Sequence, residues 1–291
     1  MAPSSAATKK TSFSLEEAVQ RVDEISTLPH IALQVMEVAN DPASGAADLK
    51  EVMESDAALS ARVLRCVNSS AFALRTKITN LQQAIAYLGL KQIRNLAMTA
   101  SVSELFAKEE TIGPYRRSEL WRHLVSVGIC ARMIAMRRNL MNFEDMFLAG
   151  LLHDVGIILE DQHFHDSFRN VIQHLQEGTT LAATERKVLG FDHTTLGEAV
   201  ADRWGFPEAV KATIRYHHMS VNYRGTHVNV IRCVEVANLI CTLKGIPSVG
   251  MKLVKFSAPA VVGLSLTKED IAVLASDLDQ ELSSNSSLFK M

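Results

Sequence analysis

The sequence predicts an all-α fold, a bundle of many helices, on three observations. Apolar residues recur at intervals of three and four along most of the chain, as in Leu59, Val63 and Val67, and this spacing places side chains on one face of a helix. Residues that favour helix N-termini, such as Asp56 and Thr267, stand directly before several of these segments. No segment of useful length alternates apolar and polar residues with the period of two that strands show.

The composition excludes several classes of protein. The chain has 291 residues, 47% of them hydrophobic and 21% charged, so it can bury a sizeable core. Its 30 Lys and Arg residues nearly balance 32 Asp and Glu residues, and no aromatic residues interleave its basic clusters, so we expect no nucleic-acid partner. No apolar run approaches the roughly 20 residues of a membrane helix, and the polar start lacks the apolar region of a signal peptide. We therefore expect a cytoplasmic protein without membrane contact. Its four cysteines, which show no CxxC spacing, are expected to be buried free thiols.

The N-terminal part is predicted to consist of short packed helices separated by turn-forming residues. Ser14 and Glu17 suit a capping box at the start of the first helix. Leu28-Pro29 interrupts the helical pattern after this first helix, and Asp41-Pro42 ends the second helix. The predicted helices start at Leu15, Ile31, Asp48, after the Asp56 cap, at Leu81 and at Leu90, and the last one ends at Leu105.

Gly113-Pro114 marks a boundary, after which longer helices are predicted. Pro207 suits a first helical turn, where its missing N–H costs nothing. The predicted helices are Ser118–Arg138, Asn142–Leu152, Phe164–Gln176, Leu181–Leu189, Thr194–Trp204, Pro207–Tyr216, Val228–Leu243 and a last one from the Thr267 cap to Leu282. The apolar helix Val228–Leu243 either completes the core or forms a partner surface. The short linker favours one cooperative unit, with Leu64 deep in its N-terminal part.

Residues that could bind a metal lie in or beside these helices. They are His123, His153-Asp154, His193 and His217-His218, with Glu119 one helical turn before His123. Imidazole and carboxylate ligands without a thiolate favour iron or manganese, as one or two ions. His153 and Asp154 point about 100° apart on a helix, so both reach one site only near a helix end, which Gly156 indicates.

A structural role is the alternative for each histidine taken alone. A histidine at a helix C-terminus interacts favourably with the helix dipole, which suits His217 and His218. The joint spacing of the set favours a metal site. The remaining histidines match no such pattern and are interpreted as surface or loop residues; they are His30, His163, His165, His174 and His227.

The segment Ala149–Gly156, which contains His153-Asp154, resembles the signature of the HD superfamily of metal-dependent phosphohydrolases. Leu28-Pro29, the segment Asp56–Phe72 and the segment Ile78–Gly89 are similar to the HDOD branch, with Ala57 where that branch usually has proline. The resemblance implies a small N-terminal helical lobe, residues 14–110, packed on an HD-like helical domain with a C-terminal extension, residues 111–282. Residues 1–13 and 283–291 are predicted to be tails, the first of them disordered.

The catalytic branch of the superfamily that cleaves cyclic dinucleotides implies a ligand set for this chain. Glu119, His123, His153, Asp154, His193, His217 and His218 all match its ligand positions. Asn238 is included as the last metal-site residue, at the position where that branch has aspartate. This replacement is one of three departures that weaken the match: Ile157 stands where that branch has lysine, and no Gly-Tyr-Pro follows His217-His218. An apolar residue in place of a phosphate-facing lysine removes stabilisation of developing negative charge.

Most HDOD proteins are regarded as regulatory, so the resemblance implies a bacterial signal-transduction protein. Such a protein would act by contact with a signalling partner, hold a metal and have no catalytic residue. Two alternatives stay open. One is a metal-dependent phosphohydrolase of nucleotides or cyclic dinucleotides in which Asp154 is shared by two ions. The other is a sensor that binds a nucleotide without cleaving it.

Overall fold

A computed structural model describes residues 13–25, 30–69, 76–176 and 178–290. The all-α prediction is confirmed. The α-helices of the described residues are α1 (Leu15–Ile25), α2 (His30–Asn40), α3 (Ala46–Glu54), α4 (Ala57–Val67), α5 (Leu81–Leu88), α6 (Leu90–Val102), α7 (Arg117–Arg137), α8 (Phe143–Leu152), α9 (Val155–His163), α10 (His165–His174), α11 (Leu181–Val188), α12 (His193–Arg203), α13 (Glu208–Tyr216), α14 (Val228–Leu243), α15 (Ala258–Gly263) and α16 (Lys268–Ser284). None of these helices is both long enough and apolar enough to cross a membrane.

Helices α7, α8 and α14 pack side by side and form the centre of the larger part of the molecule. Helix α12 packs against both α9 and α13, and α13 also contacts α8 and α14. Helices α2 to α6 pack on one another and form the N-terminal lobe. Gly113-Pro114 is the turn of a two-residue antiparallel hairpin, Thr111–Ile112 with Tyr115–Arg116, which directly precedes α7. These helices of the larger part therefore pack around a shared core.

The helix ends follow the chemistry of the residues that precede them. The Asp56 carboxylate accepts a hydrogen bond from the Leu59 backbone N–H at 2.9 Å, and Thr267 forms a capping box with Asp270. Ser14 and Glu17 likewise exchange side-chain and backbone hydrogen bonds. The predicted starts of α1, α4 and α16 agree with these contacts.

Two helices, α9 and α15, lie in segments for which the sequence predicts no helix. Helix α9 directly follows Asp154, and every residue along it except Gln162 is buried, so it lacks the polar face that reveals a helix in a sequence. Helix α15 is only six residues long, too short for a clear period.

Residues near both ends of the described part of the chain pack on the rest of the structure. Phe13 packs its ring 4.9 Å from that of Phe164, and its backbone N–H donates to the Leu189 carbonyl. Helix α16 continues to Ser284, and Leu288 is buried because it is apolar and can pack on the core. Residues 1–12, the Leu28-Pro29 break and positions 70–72 lie outside the described residues.

Polar contacts join the N-terminal lobe to the start of α8. Arg94, which is 1% exposed, donates to the carboxylate of Asp145 at 2.9 Å and to Asn40 at 3.1 Å. Asn95 donates to the backbone carbonyl of Glu144 at 2.9 Å. The opposite end of α8 leads into His153, so these contacts connect the lobe to the helix that carries part of the histidine cluster.

Leu64 is only partly buried and is therefore not the deep position that the sequence suggests. The fully buried residues of α4 are Leu59, Val63 and Val67, each 0% exposed.

Candidate metal centre

Six titratable side chains, most of them at helix ends, meet in one cluster, and five of the six are buried. His153 and Asp154 lie at the junction of α8 and α9, His193 begins α12, and His217-His218 directly follow α13. His123 reaches the cluster from within α7. His123, His153 and His193 are 0% exposed, Asp154 and His217 are 1% exposed, and His218 retains solvent contact. Side chains from four separate parts of the chain therefore meet at one point.

Asp154 stands between two sets of histidines. Its Oδ1 atom lies 3.1 Å from His217 Nε2 and 3.5 Å from His193 Nε2. Its Oδ2 atom lies 3.2 Å from His153 Nε2 and 3.7 Å from His123 Nε2. We call Asp154 Oδ1 with His193, His217 and His218 the open half, and Asp154 Oδ2 with His123 and His153 the closed half.

Each of the four buried histidines is oriented through its Nδ1 atom. His153 Nδ1 donates to the Gly150 carbonyl at 2.7 Å, His123 Nδ1 to the Ile246 carbonyl at 2.6 Å, and His217 Nδ1 to the Ile214 carbonyl at 3.0 Å. A carbonyl can only accept, so these Nδ1 atoms carry protons. In the neutral rings the Nε2 lone pairs therefore point inward, the arrangement in which histidine binds a metal.

His193 is held by a carboxylate instead of a carbonyl. The Glu185 Oε2 atom accepts from His193 Nδ1 at 2.6 Å and from the His193 backbone N–H at 3.0 Å. Glu160 is also fully buried nearby; burial and the charge of Glu185 raise the pKa of Glu160 well above its ordinary value. Glu160 is therefore the protonated carboxyl of the pair.

The protonation states suit a cation at the centre. Burial and the proximity of His153 lower the pKa of His123 to about 4, so its ring is neutral. Burial would raise the pKa of Asp154, but the neighbouring imidazoles of His153 and His217 hold that pKa well below its ordinary value. Burial likewise opposes a charge on His193, but Glu185 and Asp154 raise its pKa to about 9, so its Nε2 atom holds a proton that a bound cation would replace. The open half thus attracts positive charge.

Unsatisfied atoms provide a test of whether a metal fits. Among the described residues, His123 Nε2 and Asp154 Oδ1 are buried without a hydrogen-bond donor. His218 Nε2 lies 3.1 Å from His193 Nε2 and 3.0 Å from His217 Nε2, so three ring nitrogens face one another. A bound cation would satisfy these convergent lone pairs, so the residues present fit a metal site.

Two further residues were expected in the cluster, Glu119 and Asn238, and the structure brings only Asn238 to it. Glu119 is not brought to the cluster: its carboxylate is 48% exposed and lies 3.5 Å from Arg122. It occupies the first turn of α7, where the helix meets solvent, whereas His123 one turn later is inside. Asn238 does reach the cluster, and its Nδ2 atom lies 3.4 Å from His153 Nε2.

The structure adds supporting residues that sequence reasoning missed. Glu185 and Ile246 orient His193 and His123 from other segments of the chain, 8 and 123 positions away. In the sequence, Glu185 is one carboxylate in an amphipathic helix, and such residues are too common to indicate a functional site. His163, interpreted from the sequence as a surface or loop residue, is buried because it lies on the enclosed helix α9.

Glycine permits the close packing that places His193. A Cβ atom on Gly156 would lie 2.0 Å from the His193 carbonyl oxygen, so only glycine fits where α9 meets α12. Gly197 on α12 lies against the same contact, because its own Cβ would approach the Gly156 backbone nitrogen to 3.3 Å. The glycine two residues after Asp154 is therefore a packing requirement of the site.

A cavity of about 420 Å³ lies over the open half. Asp154, His193, His217 and His218 form part of its wall. Its other lining residues include the cations Arg186, Arg215 and Lys255 and apolar side chains such as Leu253. Ile157, by contrast, is fully buried in α9 and does not line this cavity. The cavity gives a small molecule access to the open half of the cluster.

Solved structures and a curated relative match this chain over most of its length. An HDOD domain protein of Geobacter sulfurreducens has 27% identity and a TM-score of 0.76, covering 94% of this chain and 98% of that one. A protein of Marinobacter aquaeolei provisionally named as a signal transduction protein has 24% identity and a TM-score of 0.76, covering 95% and 64%. One of Shewanella amazonensis provisionally named as a phosphohydrolase has 22% identity and a TM-score of 0.71, covering 94% and 97%.

A protein of Treponema pallidum without an assigned function is 25% identical over 225 residues, which are 75% of this chain and 42% of that protein. The chain thus spans less than half the length of that relative. The family model of the HDOD domain matches residues 25–220, about two thirds of the chain. The chain therefore belongs to the HDOD domain family.

Proposed function

We propose that this chain is a metal-binding regulatory protein of bacterial signal transduction that acts in the cytoplasm through contact with a signalling partner. The observation that carries the proposal is the convergence of the Nε2 atoms of four buried histidines on the two oxygens of Asp154. Iron or manganese suits this mixture of imidazole and carboxylate without thiolate. A bound ion would supply a strong positive charge and Lewis acidity at the floor of the cavity.

The link between the two parts of the chain supports a regulatory role. Arg94 and Asn95 of α6 hold the first turn of α8 through Asp145 and Glu144. His153 follows the last turn of the same helix. A change in the occupancy of the cluster would therefore be transmitted along α8 to the N-terminal lobe, where a partner could sense it.

Two features disfavour hydrolysis as the main activity. Ile157 supplies no positive charge to the cavity, because it is apolar and fully buried. Asn238 places a neutral amide where a carboxylate would strengthen metal binding. A substrate phosphate would therefore lack part of the charge stabilisation that the transition state requires.

A metal-dependent phosphohydrolase remains a second candidate, favoured by the cavity itself. The cavity is large enough for a small molecule and reaches the cluster. Its lining includes Lys255, and also Arg186 and Arg215, which pair with Asp192 and Glu198. The same features fit a nucleotide sensor that does not cleave its ligand, since cationic side chains bind phosphate groups in either case.

The proposal predicts that the purified protein contains metal. Protein expressed with iron and manganese supplied, and purified without chelator, is expected to hold about one equivalent or more per chain by elemental analysis. Chelator is expected to lower the melting temperature, because the ion binds only the folded state; at free ion near 100 times Kd the stabilisation is about 2.7 kcal/mol.

Asp154→Ala should abolish both the metal content and the chelator effect, since both halves of the cluster share Asp154. His174→Ala, which replaces an exposed histidine outside the cluster, is the matched control and should retain both. A wild-type protein with well below one equivalent after metal-replete expression would contradict the proposal.

The regulatory proposal also predicts little or no turnover of cyclic dinucleotides or nucleotides in the presence of manganese or iron. The missing positive charge at Ile157 and the amide of Asn238 are the physical reasons. Product formation is measured by chromatography for the wild type and Asp154→Ala. Robust turnover in the wild type that disappears in Asp154→Ala would establish the hydrolase in place of the regulator.

A further inference from the structure

We propose that this chain holds a single ion, in the open half of the cluster, and that Asn238 keeps the closed half free of metal. The inference rests on the proposed metal-binding function and specifies how many ions the cluster accepts. It follows from three differences between the halves: the number of ligand atoms, the role of Asn238 and the charges behind the histidines.

The open half has the larger ligand set. His193, His217 and His218 each present an Nε2 atom there, with Asp154 Oδ1 as a fourth ligand. The closed half has only His123, His153 and Asp154 Oδ2. Four protein ligands hold an ion more tightly than three, and an ion in the closed half would depend on a water molecule for its fourth ligand.

Asn238 does not make up this deficit. Its Nδ2 atom lies 3.4 Å from His153 Nε2, and the Thr242 hydroxyl, which donates to Asn238 Oδ1 at 3.3 Å, fixes the orientation of the amide. The His153 Nδ1 atom already carries the ring proton, so Nε2 accepts from the amide N–H. The amide thus occupies the lone pair that an ion in the closed half would need.

Turning the amide to expose Oδ1 would not restore a strong ligand. A neutral amide oxygen adds no negative charge, and the contact between Asn238 Oδ1 and Thr242 would be lost. Among the described residues, Asp154 is the only carboxylate that faces both halves directly, and two divalent ions would bring four positive charges to it. Mutual repulsion of the ions therefore disfavours the second one.

The charges behind the histidines favour the same half. Glu185, a carboxylate, accepts from His193 on the open side at 2.6 Å. On the closed side, the acceptors behind His123 and His153 are the neutral carbonyls of Ile246 and Gly150. A carboxylate behind a ligating histidine increases the basicity of the ring and strengthens its bond to the metal. Only the open half has this support.

The test is titration with Mn²⁺ alone, followed by electron paramagnetic resonance and elemental analysis. The wild type is expected to saturate at about one Mn²⁺ per chain, with the spectrum of an isolated ion. Asn238→Asp is expected to saturate at about two, with the spectrum of an exchange-coupled pair. Asn238→Leu, which has a similar volume but no carboxylate, is the matched control and should remain at about one.

A pair of ligand variants locates the ion without any change at Asn238. His218→Ala should weaken Mn²⁺ binding by more than about tenfold, since it removes a ligand of the open half. His123→Ala should leave the affinity within about threefold of the wild type, since its loss affects only the closed half. Circular dichroism before titration checks that each variant is folded.

The outcomes separate this inference from the proposed function. Two ions with a coupled spectrum in the wild type, or equal loss of affinity in His123→Ala and His218→Ala, would overturn the single-ion inference while metal binding stands. A folded Asn238→Asp protein that saturates at one ion would overturn the role assigned to Asn238. No Mn²⁺ in the wild type at any concentration would overturn both proposals.

Discussion

Replacing Gly156 with alanine is expected to lower the free energy of unfolding by more than about 3 kcal/mol, at the upper end of the cost of overpacking. The added Cβ would lie 2.0 Å from the carbonyl oxygen of His193 and 2.7 Å from its carbonyl carbon. Both atoms belong to the backbone at the start of α12, which the capping box of Asp192 and Thr195 holds in place. No side chain can move aside to relieve the clash, so α9 and α12 must separate.

The same substitution should weaken metal binding, because the displaced backbone carries His193. Urea unfolding measures the stability and Mn²⁺ titration measures the affinity. Gly45→Ala is the control: a Cβ there meets only Asp48 Oδ2 at 3.9 Å, so we expect a loss below about 1 kcal/mol and unchanged affinity. A Gly156→Ala protein as stable as Gly45→Ala would show that the contact between α9 and α12 is not as tight as described.

Leu59→Ala in helix α4 is expected to cost about 2–5 kcal/mol, the range for truncating a fully buried leucine. The whole chain should still unfold in one transition at a lower temperature, because the Arg94 and Asn95 contacts and the packing of α6 on α8 join the lobe to the larger part. Scanning calorimetry gives the number of transitions and their midpoints. Near the melting temperature of the variant, its apparent Mn²⁺ affinity should fall in proportion to the folded fraction.

The control for this prediction is Leu243→Ala, at a leucine that is 62% exposed at the end of α14. Removal of an exposed side chain should change stability by no more than about 0.5 kcal/mol. Two separate transitions, with only the first shifted by Leu59→Ala and metal binding untouched, would mean that the lobe unfolds by itself. Communication between the lobe and the cluster through α8 would then be excluded.

The helices that the sequence predicts well are those with one apolar face and a recognisable cap. Helix α4 follows Asp56 and α16 follows Thr267, and both begin where these caps indicate. The sequence gives no sign of helix α9 for the opposite reason. Neighbouring helices bury almost all of its residues, so it shows no polar face and no period of 3.6. A local pattern can report a helix only when solvent contacts one side of it.

The candidate site likewise has features that a local sequence pattern indicates and features that it does not. The sequence by itself determined the residue types of the cluster, the His-Asp pair at a helix end and the family resemblance, because these are properties of short segments. The spacing of Glu119 from His123 predicts that it belongs to the cluster, and only the position of the first turn of α7 at the surface shows that it does not.

Only the tertiary structure decided that Asp154 divides the histidines into two unequal halves. It alone placed Glu185 behind His193, the Ile246 carbonyl behind His123 and the Asn238 amide against His153. These contacts join residues that are between 8 and 123 positions apart. Distances of this kind depend on how whole helices pack, and the spacing of residues along one helix does not specify that packing.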